Sequence, residues 1–120
     1  MEALREDVSR FSGRVRAVCE ERGAGVAEDQ VVLHRVAESA ALLYSQAAVL
    51  SRASSVAEED GPSAAALARA WCGVARPRLL RLLEELEEGS AREPDRAVLE
   101  IGRASLLAGG YCCRSPVGVL

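Results

Sequence analysis

The stretch Val31–Ser54, VVLHRVAESAALLYSQAAVLSRAS, decides the fold class of this 120-residue chain. Apolar residues recur in it at helical spacing for about six turns at 3.6 residues per turn, with no Gly or Pro to interrupt them. Val32, Val36, Leu43, Ala47 and Leu50 mark one stripe; Leu33, Ala37, Ala40 and Tyr44 mark a second beside it. A helix that is apolar over most of its circumference is central to its domain. The spacing therefore predicts a buried helix over about residues 28–57.

Three further helices are expected around it. Residues 2–22 carry Leu4, Val8, Phe11, Val15 and Val18 on one face, and Gly23-Ala24-Gly25 ends the pattern with residues suited to positive φ. Glu59-Asp60-Gly61-Pro62 is expected to break the chain, with Ser63 as the N-cap of a helix over 63–88. Inside that helix Pro77 lacks the N–H for the carbonyl of Gly73, which predicts a kink near Gly73–Pro77. Pro94 suits the first turn of a helix over 94–108, ended by Gly109-Gly110, and residues 111–120 read as a tail. Four helices with short connections imply an all-α fold, an antiparallel four-helix bundle in a single domain.

Composition agrees. Hydrophobic residues make up 49% of the chain but aromatic ones only 3%, so the core is expected to be aliphatic. Its few large pieces, Trp71, Tyr44 and Phe11 together with Leu50, are the candidate core or interface anchors. Ala and Leu favour helix, and no segment alternates strictly as a strand would. A net charge of −3 excludes a basic nucleic-acid module. All fifteen Lys+Arg residues are Arg, in keeping with a GC-rich coding sequence or with an anion-pairing surface.

Cys19, Cys72, Cys112 and Cys113 include no CxxC pair, and one His with scattered Cys has no zinc spacing. Cys19 and Cys72 fall on apolar faces, where a free thiol behaves as a small hydrophobe, and a reducing compartment fits best. No apolar run is long enough to span a bilayer. Glu2, Glu6 and Asp7 interrupt any signal-peptide core, and the early acids are wrong for a transit peptide.

No catalytic, cofactor-binding or metal-binding residue stands out. His34 pairs with Glu38 at i, i+4 and has no nucleophile nearby. Ser51 and Ser54 are expected to bond the carbonyl a turn back. Glu84-Glu85-Leu86-Glu87-Glu88 reads as a solvated face close to a helix C-terminus, where its charge calls for an Arg partner. Arg76, Arg78 and Arg81 interleave with Leu79, Leu80, Leu82 and Leu83, as in an interfacial helix, but a Leu face buried in the bundle suits them better. No phosphate-binding glycine motif is present.

Particular strings say more. Leu43-Tyr44, Ala48-Val49-Leu50-Ser51-Arg52-Ala53-Ser54, Asp60-Gly61-Pro62 and Trp71-Cys72 resemble the last helical segment of the very-long-chain acyl-CoA dehydrogenases, whose close relative is family member nine. The likeness runs from about Phe11 to the end, where Arg114-Ser115-Pro116-Val117-Gly118 resembles the family's asparagine-proline-leucine-glycine ending. Gly73 and Pro77 depart from it, since the related helix looks unbroken there.

The resemblance implies a non-catalytic C-terminal domain of a mitochondrial enzyme that oxidises long fatty acyl-CoA with FAD and a glutamate base, both lying upstream. Its implied partners are the rest of the dehydrogenase core, a second subunit in a homodimer and a peripheral contact with the inner membrane, from the matrix side. Two alternatives stay open: the interaction module of the complex I assembly relative, and a free-standing helical binding protein. Asp60-Gly61-Pro62 and Trp71-Cys72 lean toward the very-long-chain enzyme; Val32-Leu33 and Arg35-Val36-Ala37 lean toward the relative. If the domain covers a larger enzyme, its apolar docking patch is expected on the Phe11–Val18 face, rimmed by Arg14, Arg16 and Arg22.

Overall fold

The computed structural model describes residues 1–89 and 92–110, except for the side chains of 58–60. It is all-α, with helices α1 (Glu2–Arg22), α2 (Gln30–Ser55), α3 (Ala57–Glu88) and α4 (Glu93–Ala108). The chain divides into two compact units, Met1–Glu87 and Glu88–Leu120. The tail over 111–120, with Cys112 and Cys113, lies outside the described residues.

In the first unit α1, α2 and α3 run up, down and up. Along α2 and α3 the cross-helix partners fall in opposite order: Arg35 meets Glu85, Glu38 meets Arg78, and Ser45 meets Trp71. Along α1 and α3 they rise together, from Asp7 with Arg76 to Arg10 and Arg14 with Glu87. Between the three helices lie Val18, Val32, Leu43, Leu79, Leu83 and Leu86, with Leu4, Phe11, Val26, Val36 and Leu42 packed against them. Leu79 and Leu83 are wholly enclosed. Burying a side chain of that size stabilises by roughly 1.5–3 kcal/mol.

The ends of the helices follow their local chemistry. Gly23 takes φ 53° after α1, and residues Gly23–Glu28 wind into a 3-10 helix. Asp29 then caps α2: its Oδ1 accepts the Val32 N–H at 3.0 Å, while Oδ2 pairs with Arg22 at the end of α1. One side chain thus closes one helix to the next. It delays α2 to Gln30 rather than 28, and α2 ends at Ser55 rather than 57.

The expected break at Glu59–Pro62 is not where helix ends. The turn is made by Val56, whose N–H bonds back to the Arg52 carbonyl at 3.2 Å, and α3 starts at Ala57. Ser63 is therefore inside α3 and not its N-cap. Pro62 falls in the second turn of α3 and forfeits only the bond to the carbonyl four residues earlier. Pro77, where a kink is expected, likewise lies within α3, which continues through it. Gly73 and Pro77 are both exposed, so water can reach the carbonyl that Pro77 leaves without its N–H.

The second unit holds α4. Arg92 precedes it, and pairs with Glu88 at 2.8 Å and with Asp95 at 3.3 Å. At its end Gly109, at φ 69°, donates to the Leu106 carbonyl and Gly110 to that of Ser105, the double bond pattern of a Schellman cap.

Helix lengths set one further feature. Asp7 lies level with Arg76, so extending five residues back along α1 brings its start level with about residue 71 of α3 at equal rise. Upstream of Trp71, α3 and the second half of α2 therefore have no α1 beside them.

Candidate interaction surface

Of the two apolar stripes on α2, the bundle buries one. Val32 and Leu43 are buried, and Val36 and Leu50 half-buried, with Arg35, Ser39 and Gln46 enclosed on the same side. Leu33, Ala37, Ala40 and Tyr44 face outward, as does Ala47 from the first stripe. Within the first unit the helix is central along one side only, because α1 and α3 both pack on that side.

The aromatic anchors follow the outer stripe. Of the candidate core or interface anchors, Tyr44 is 78% exposed and Trp71 39% exposed, so both lie outside the enclosed core. The physical reason is local: the Trp71 indole Nε1–H donates to Ser45 Oγ at 3.0 Å, which holds the ring across the α2–α3 seam, above the core. Phe11 does pack against the core, and Leu50 is half-buried in the region α1 does not reach.

Two apolar grooves flank the seam there. The first, of about 570 Å³, is lined by Ala48, Arg52, Val56, Ala64 and Leu67 among others. The second, of about 340 Å³, lies on the other side, with Leu50, Ser54, Ala65, Arg69 and Cys72. Ala53 and Ala68 belong to both and form the divide between them. On the side of the first groove Leu67 is 73% and Val74 69% exposed, in line with Trp71 along α3.

The docking patch expected on the Phe11–Val18 face of α1 is not there. Val18 is buried, and Phe11 and Val15 are half-buried, because α1 turns this face to the core; Val8 alone of its stripe is left exposed. The inward register instead takes in Asp7, whose carboxylate is enclosed. Arg76 reaches it with Nε at 2.8 Å and Nη2 at 3.3 Å, and the hydrogen bond, then the charge of Asp7, raises the Arg76 pKa further. Cys19 is exposed, not on a buried face, since it lies about 100° round the helix from buried Val18.

The acidic run finds an Arg for most of its members. Glu85 bonds Arg35 at 2.8 Å; Glu87 is shared by Arg10 and Arg14. The Arg10 hydrogen bond, aided by the charges of both arginines, lowers the Glu87 pKa against a weaker opposing effect of burial. His34 and Glu38 lie 3.4 Å apart on the surface of α2, and Ser54 Oγ bonds the Leu50 carbonyl a turn back at 3.0 Å. Of the leucines between the α3 arginines, Leu79, Leu82 and Leu83 are buried and Leu80 is half-buried. Among the described residues no cluster of His, Cys, Asp or Glu has the form of a metal site, and no helix is long and apolar enough to cross a membrane.

What this arrangement can do chemically is bind, through apolar area, while ion pairs such as Asp7–Arg76 and Arg35–Glu85 hold its helices together. The chain is 29% identical over 116 residues to the mouse very long-chain specific acyl-CoA dehydrogenase, mitochondrial, a match that covers 93% of this chain and 18% of that protein. It thus spans less than a fifth of the length of that relative. No solved structure matches it. The family model for the ACAD9/ACADV C-terminal domain matches residues 1–111. With nearly its whole length covered, the chain belongs to the ACAD9/ACADV C-terminal domain family.

Proposed function

We propose that this chain works as the non-catalytic C-terminal helical domain of a very-long-chain-type mitochondrial acyl-CoA dehydrogenase, an FAD-dependent enzyme of fatty-acid β-oxidation. The observation that carries the reading is the family match over residues 1–111, joined to a curated relative whose remaining length lies outside the matched part. The identity to the very-long-chain enzyme favours this over an assembly module.

The residues here do not fit a flavin. The larger groove offers Ala, Val and Leu side chains with only Arg52 and Ser63 as polar members, too few donors for an isoalloxazine and its phosphates. The contribution of this chain is contact. The groove with Leu50, Ala65 and Cys72, in the stretch where α2 and α3 outrun α1, is suited to packing on the dehydrogenase core. Dimer support and a peripheral contact with the inner membrane complete the proposed role.

Incubating the chain with palmitoyl-CoA, FAD and a dye acceptor tests the non-catalytic part, with no turnover above a heat-killed control expected. Dye reduction by the purified chain would overturn it. Crosslinking of Cys72 to the dehydrogenase portion of the longer enzyme tests the packing.

A further inference from the structure

We draw no further inference here: the strongest candidate, the exposed apolar face of α4 around Val98 and Ile101, carries nothing because nothing in the structure shows what covers it.

Discussion

Asp7 on α1 and Arg76 on α3, 69 residues apart in sequence, form a two-pronged ion pair in which the carboxylate is enclosed and the guanidinium partly open to water. The pair sets the height of α1 along α3, and with it the point beyond which the α2–α3 hairpin continues without α1.

Removing the cation should cost more than removing the charge on both sides. Arg76→Ala leaves an enclosed carboxylate alone, which typically destabilises by about 3 kcal/mol. Asp7→Asn/Arg76→Met should recover at least half of that loss. Urea unfolding of the three proteins measures it; equal losses would show that Asp7 is solvated without Arg76.

Ser39 offers the opposite case. It is wholly buried in the middle of α2, and its Oγ has no hydrogen-bond partner among the described residues. Ser39→Ala should stabilise the domain by about 1 kcal/mol, since an unsatisfied buried hydroxyl is removed and Ala favours helix. A rise in the melting temperature checks it, and a fall would reveal a bound water that satisfies the hydroxyl.

Glu87 gives the fold a pH dependence. Its pKa in the folded chain is depressed by Arg10 and Arg14, so its share of the stability is present above the ordinary carboxylate value. That share is lost as pH falls through the depressed value. Glu87→Gln should therefore be less stable than wild type at pH 7, with the gap closing as pH falls below the ordinary Glu value of about 4.3. Guanidinium titrations at a series of pH values measure the gap; one that stays constant with pH would contradict the ion-pair origin.

Core and surface leucine–aromatic positions should separate in energy. Leu83→Ala removes a wholly enclosed side chain and should cost about 2–5 kcal/mol. Trp71→Ala removes a larger but partly exposed one held by a single hydrogen bond, and should cost under about 2 kcal/mol. Paired thermal melts test the order. A Trp71 loss larger than that of Leu83 would return Trp71 to the core.

What was legible in the sequence was local. Period-3.6 apolar spacing marked four helices, Gly23 and Gly109 marked two helix ends, and the Ser54 back-bond and His34–Glu38 pair follow from i, i+4 geometry alone. The strings around Leu43–Ser54 carried the family. The tertiary structure decided the rest. Periodicity says that α2 has two apolar stripes, but only the placement of α1 and α3 on one side of it leaves Tyr44 outside and Leu43 inside. Composition says Trp71 is large and apolar, but its seat over Ser45 depends on the register of two helices, which no local pattern contains. Asp7 reads as one acid among several until Arg76 is brought to it. The physical reason is common to all three: helix spacing determines which residues share a face, while the neighbour that each face meets depends on contacts between residues far apart in the chain.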